Sequence, residues 1–252
     1  MRWLDEVTAA VVAIVNDPYA MLFVCIGIAL VLLSSVLNIR NLMREAKSDY
    51  AAALTYFLSF FGLMFALPMA LVLVDGPKFG MSPETLGLQV GDWKIGLTFL
   101  AVATPILVAS VILGARDPAL RQQYPFSKEA LKGPLRFVLY EASYVAFYYL
   151  AWEFAFRGVV LFGLLAFLPV NIPGVAVAIM VQTFLSTIYH IGHPNSEVFG
   201  AFLLGLIAGT AAVVTGSILY GLLYHALVGV LNDCIAYRRL ARKRAEEPGR
   251  TT

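Results

Sequence analysis

The sequence predicts an all-α fold: a polytopic membrane helix bundle of about seven transmembrane helices, with an N-terminal helix lying in the membrane interface. Three observations lead there. Of 252 residues, 60% are hydrophobic and only 13% charged, with a mean hydropathy of +0.79. A soluble domain of that length could not cover its surface with so few polar groups. Seven stretches approach the roughly 20 apolar residues that a helix needs to cross the hydrocarbon core. Lys and Arg also concentrate in alternate loops, as the positive-inside bias requires.

The elements follow in order. Residues 1–18, "MRWLDEVTAAVVAIVNDP", carry Trp3, Val7, Val11 and Ile14 at helical spacing, which suits an amphipathic helix in the interface. Asp5 and Glu6 argue against a secretory signal, and Asp17-Pro18 ends the segment. Residues 19–237 form the bundle, with spans near 19–38, 51–74, 95–114, 137–168, 174–192, 198–214 and 217–237. The fourth is too long for one upright crossing and is expected to tilt, or to begin in the interface near Glu141. The loop at 75–96 has turn residues and few apolar anchors, so a lumenal or periplasmic loop is expected. Residues 115–134 read as a polar cytoplasmic connector. Neither has room for a separate catalytic domain, so any chemistry belongs within the membrane.

Residues 238–252 form a basic tail. With it fall Arg40, Arg44 and Lys47 and the basic residues of 116–136, against only Arg2, Lys78 and Lys94 on the other side. That bias sets the C-terminus in the cytoplasm and the N-terminus outside, in an integral membrane protein expected in a bacterial inner membrane. Beside a last span, the basic tail is expected to meet anionic lipid headgroups of the bilayer, with no nucleic-acid partner. Cys25 and Cys234 lie in apolar runs and give neither a disulfide framework nor a metal spacing. No internal repeat is visible.

Polar residues inside the spans are the functional signal. Glu153 and Arg157 interrupt "YYLAWEFAFRGVVLFGL" at 148–164. A charged group at the centre of a span costs about 2.5–3.5 kcal/mol on insertion scales, so such groups pair or face a cavity. Four residues apart, the two share a helix face and can form an ion pair. His190 and His225 are embedded too, each preceded by Tyr, and Asn232 and Asp233 follow His225 by two turns. An ion pair alone can be structural. With two imidazoles on other helices, it reads as a site in which a carboxylate and an imidazole activate water while donors stabilise an oxyanion. Such residues can also hold zinc, but H-E-x-x-H is absent, and His193 of "HIGH" stands before Pro194 at a helix end. No cofactor is expected, with a divalent metal such as zinc as the alternative. Gly200, Gly205 and Gly209 suit close helix packing.

Three motifs, "EFAFRG" at 153–158, "YHIGHPNSE" at 189–197 and "TGSILYGLLYHALVGVLND" at 215–233, resemble the CPBP family of CAAX-protease and bacteriocin-processing intramembrane endopeptidases, also called ABI. The resemblance covers about residues 80–235 and implies a multi-helix bundle with glutamic-type peptidase chemistry. In the family's E-E-x-x-x-R motif, Trp152 stands at the first Glu, while Glu153 and Arg157 match the rest. In F-x-x-x-H, His190 matches and Ser186 replaces Phe. In H-x-x-x-N/D, His225 matches and Gly229 stands at the polar position, with Asn232 and Asp233 beyond it.

The resulting expectation is an intramembrane endopeptidase acting on a membrane-tethered or lipid-modified protein or peptide. Glu153 and His190 would activate water, and Arg157 would hold Glu153. His225 would stabilise the oxyanion, tuned by Asn232 or Asp233. The alternatives are a non-catalytic membrane scaffold or immunity protein on a degenerate protease fold, and a proton- or ion-coupled transporter.

Overall fold

The computed structural model describes residues 2–36, 48–169 and 171–246. Arg40, Arg44, Lys47 and Arg250 of the charge argument lie outside the described residues, as does residue 170. Within them every regular element is helical: α1 (Arg2–Asn16), α2 (Pro18–Val36), α3 (Asp49–Phe79), α4 (Trp93–Arg116), the short α5 (Pro118–Gln123), α6 (Pro134–Leu165), α7 (Ile172–Ile188), α8 (Asn195–Thr215) and α9 (Leu219–Glu246).

Five of these, α3, α4, α6, α8 and α9, are long and apolar enough to cross a membrane. The bend of 81° between α1 and α2 leaves a sixth crossing only if that pair counts as one span. The expected crossing at 174–192 becomes α7, a shorter apolar helix. The chain turns at residues 189–192, where Gly192 takes φ +95°, and Pro194 precedes the next helix. Among the described residues the count is therefore five to six, and the expected seven is not confirmed.

α6 is the axis of the bundle. Every residue from 151 to 161 is buried, so this stretch is enclosed on all sides. Two parts of it, Tyr144–Tyr149 and Phe154–Phe162, open into wider π-helical turns, a form that often accompanies functional sites. Aromatic rings lock α3 to it: Phe57 stacks on Tyr144 at 4.7 Å and Phe60 on Tyr148 at 4.4 Å between centroids. On α2, Phe23 lies so close to Gly163 that a Cβ there would fall 2.3 Å from the ring. α7 and α8 pair through Gln182, whose amide donates to the Gly205 carbonyl at 2.8 Å. A Cβ at Gly205 would meet Thr183 at 2.7 Å and one at Gly209 would meet Gln182 at 2.6 Å, so these two glycines do allow the close approach. Gly200 has open space instead.

α9 runs along α4 and α8. It stays helical through Glu246, so the first part of the basic tail is helix. Arg239 donates to the Ala115 carbonyl at 2.7 Å and ties that end of α9 to the end of α4.

The loop at 75–96 is better anchored than its composition suggests. Leu86 and Met81 are buried, and the Ile218 amide donates to Gly87 O at 3.0 Å. The Asp92 amide donates to Thr215 O at 2.8 Å. Gly91 has φ +61°, and a Cβ on it would sit 2.0 Å from that same Thr215 oxygen, so only glycine fits. Asp92 then caps α4, accepting from the amides of Lys94 and Ile95, each at 3.0 Å. Asp92→Ala is expected to lose about 1 kcal/mol of stability, measurable as a lower melting temperature of the purified protein in detergent.

Candidate active site

A cavity of about 260 Å³ lies between α4, α6, α8 and α9. His190, His225, Arg157, Trp152, Tyr149, Glu197, Asn232 and Asp233 are among the residues that line it. A cavity of this size and polarity has room for water and part of a substrate.

Its innermost feature is a three-member charge cluster. Glu153 is fully buried, with 0% side-chain exposure, and Arg157 beside it shows 1%. Arg157 Nη1 lies 3.3 Å from Glu153 Oε1, and His225 Nδ1 donates to that same oxygen at 2.8 Å. The ion pair expected from the i, i+4 spacing is present. The imidazole that joins it is His225 of α9, whereas His190 makes no hydrogen bond to Glu153. Glu153 itself does not line the cavity. Its Oε2 faces Gly221, where a Cβ would come within 3.0 Å. The carboxylate sits behind His225, which turns its other face to the cavity.

Because Nδ1 of His225 is committed to a carboxylate, Nε2 is the nitrogen left for chemistry, and the tautomer is set as well. Tyr149 packs edge-on against this imidazole with centroids 4.7 Å apart. Gly229, one turn beyond His225, has no side chain because Tyr149 takes its place: a Cβ there would fall 1.8 Å from the Tyr149 hydroxyl oxygen.

His190 stands in the turn after α7 and lines the same cavity. Its Nδ1 donates to the Ser186 carbonyl at 2.9 Å, so Nε2 is again the free nitrogen. Trp152 separates the two imidazoles, its ring centroid 4.9 Å from that of His190 and 6.2 Å from that of His225. By residue counting along straight spans the two histidines differ in depth. The early end of α7 and the turn that follows it bring them to one cavity.

Asn232 and Asp233 line that cavity, but farther along α9. Seven residues of helix correspond to about 10 Å of rise, too far for Asn232 to touch His225. Its amide donates instead to Val228 O at 2.9 Å, and its Oδ1 faces Gly114. Asp233 is buried. Neither has a hydrogen bond to the His225 imidazole.

Several residues of the site escaped the sequence reading. Glu197, in the first turn of α8, accepts from the Tyr124 hydroxyl at 2.6 Å and from His193 Nδ1 at 2.8 Å, with Gln123 Nε2 3.3 Å from its other oxygen. His190 Nε2 is 3.9 Å from Glu197 Oε1. The available signal was the i, i+4 spacing of His193 and Glu197. Next to it, the Ser196 hydroxyl donates to Asp117 and holds that carboxyl below its ordinary pKa, joining the start of α8 to the end of α4. Among the described residues no three His, Cys, Asp or Glu side chains form a metal-binding group.

Residues 134–231 match the protein family described as type II CAAX prenyl endopeptidase Rce1-like. The match runs from the start of α6 into α9 and takes in Glu153, Arg157, His190 and His225. It agrees with the resemblance read from the three motifs, and it stops just before Asn232 and Asp233. No curated protein and no solved structure matches the chain.

Proposed function

We propose that this chain is an intramembrane endopeptidase that hydrolyses a peptide bond of a membrane-tethered or lipid-modified polypeptide in the cavity between His190 and His225. One observation carries the reading: two imidazoles, one from the turn after α7 and one from α9, line one cavity, each with Nδ1 committed and Nε2 left free. The family match over the four polar residues supports the same reaction class.

In this reading His190 Nε2 accepts a proton from water as the oxygen attacks the substrate carbonyl. The developing oxyanion is met by Nε2–H of His225 as the imidazolium, whose Nδ1–H is held by Glu153. Arg157 adds positive charge at the cavity wall, and its Nε and Nη1 have no hydrogen-bond partner. Glu153 is thus a positioning residue for His225 rather than the group that touches water. The proton on His190 then passes to the leaving amine as the C–N bond breaks. Asn232 and Asp233 shape the far end of the cavity and have no step in this scheme. The basic residues on α9 and on the connector stand at one end of the bundle, which supports a cytoplasmic C-terminus.

The test is cleavage of a quenched-fluorescent farnesylated peptide ending in a C-a-a-X sequence by the purified chain in nanodiscs. Wild type should cleave it, and His190→Asn and His225→Asn should each lower kcat by at least about 100-fold while the melting temperature stays close to wild type. Full cleavage by both variants would remove the two histidines from the reaction.

A further inference from the structure

An imidazole base such as His190 works best with a carboxylate beside it to hold the water and the charge it gains, and α6 provides none there. At the position where the resemblance places a first glutamate, the chain has Trp152, whose ring packs against His190. Glu153 is turned away and bonded to His225. The cavity wall holds only two carboxylates among the described residues, Glu197 and Asp233. Asp233 lies eight residues beyond His225 on α9, about 12 Å along the helix. Glu197 is the one beside His190.

Resting on the peptidase reading above, we infer that Glu197 is the catalytic carboxylate of this site: it holds the attacking water together with His190 and stabilises the imidazolium that His190 becomes. The geometry allows one water to serve both. With 3.9 Å between His190 Nε2 and Glu197 Oε1, a water about 2.8 Å from each subtends an angle of about 90°. One water hydrogen then points to the carboxylate and the other to the imidazole. On attack, the water oxygen forms a bond to the carbonyl carbon, the carbonyl π pair moves to oxygen, and the water proton goes to His190 Nε2. The positive charge created there lies beside the Glu197 carboxylate. On collapse the C=O bond re-forms, the C–N bond breaks, and His190 returns the proton to the amine. No further reactant is required.

Three donors brace Glu197 for this role. The Tyr124 hydroxyl, His193 and Gln123 all hydrogen-bond its carboxylate. Held in place by these donors, the carboxylate keeps its position beside His190 Nε2, which takes the proton in this scheme. The carboxylate missing from α6 is in this way supplied from the first turn of α8.

The experiment uses the full chain in nanodiscs with the farnesylated C-a-a-X peptide. Glu197→Gln is expected to lower kcat at least about 100-fold while KM changes less than about threefold, since the lost contact is to water and not to the peptide. Glu197→Ala opens a space at the cavity wall, and added sodium formate should then restore at least about tenfold of the lost rate; a merely structural role would not respond to formate. Glu197→Gln retaining more than a tenth of wild-type kcat, or absence of formate rescue in a folded Glu197→Ala protein, overturns the assignment. The two failures are distinct. If His190→Asn is inactive while Glu197→Gln is active, the peptidase reading stands and Glu197 falls. If wild type cleaves nothing, both fall together.

Discussion

Glu153→Ala is expected to destabilise the bundle by about 3–5 kcal/mol and to abolish cleavage, the largest stability effect of any single change in the site. The cause is the guanidinium left behind. Arg157 shows 1% exposure, and all residues from 151 to 161 are buried, so the guanidinium is left buried without the carboxylate it pairs with. Its Nε and Nη1 already lack hydrogen-bond partners, so Glu153 Oε1 is the charge that holds it. His225 Nδ1 loses its acceptor in the same step. Thermal denaturation in detergent, followed by tryptophan fluorescence, measures the effect. Glu153→Ala/Arg157→Ala should be more stable than the single Glu153→Ala variant, because removing the stranded charge undoes part of the damage. It should remain inactive, because His225 still lacks its anchor. Glu153→Gln keeps the shape and an acceptor oxygen but removes the charge, so it should fold and still cleave poorly. If Glu153→Ala melts with wild type, the buried pair contributes nothing to the bundle.

How much of this was legible in the sequence depends on the expense of each residue's position. Glu153, Arg157, His190 and His225 stand out because a polar group in an apolar run must have a reason to be there. Their identification did not depend on geometry. Which groups pair with which did depend on it. Spacing links Glu153 to Arg157, but only the packing of α9 against α6 selects His225 over His190 as the third member. Glu197 was hidden for the opposite reason. It follows a proline at the polar start of a helix, where an acidic residue is favoured by the helix dipole whatever else it does. Tyr149 was hidden among Tyr140, Tyr144 and Tyr148, all buried aromatics of one helix.

The expected number of crossings is not confirmed where hydropathy and geometry part. The apolar run at 174–192 continues past the point where the backbone turns, and hydropathy does not see the positive φ of Gly192. The same turn lifts His190 out of its helix and into the cavity. The shortening of this one expected span and the assembly of the site therefore share a structural origin, while the bend between α1 and α2 accounts separately for the other span.

Gly229→Ala is expected to abolish cleavage as well, through a single methyl group. At this position the resembling motif carries Asn or Asp. Restoring a side chain there looks conservative from the sequence, but in the folded chain the space belongs to the Tyr149 hydroxyl, 1.8 Å from where the new Cβ would lie. The phenol must move, and overpacking of this kind costs about 1–3 kcal/mol. It cannot move without disturbing His225, because the two rings are in edge-on contact. A stability loss of that size should thus accompany a loss of rate far larger than destabilisation alone explains. The Tyr149→Phe/Gly229→Ala pair separates the two causes. Without the hydroxyl the nearest ring atom is Cζ, at 2.8 Å, so the worst contact is gone, the ring needs only a small further shift, and the melting temperature should recover in large part. The rate should recover with it if Tyr149 serves only to seat the imidazole. A recovered melting temperature with no recovered rate would mean that the hydroxyl itself acts, standing in for the polar group that Gly229 lacks.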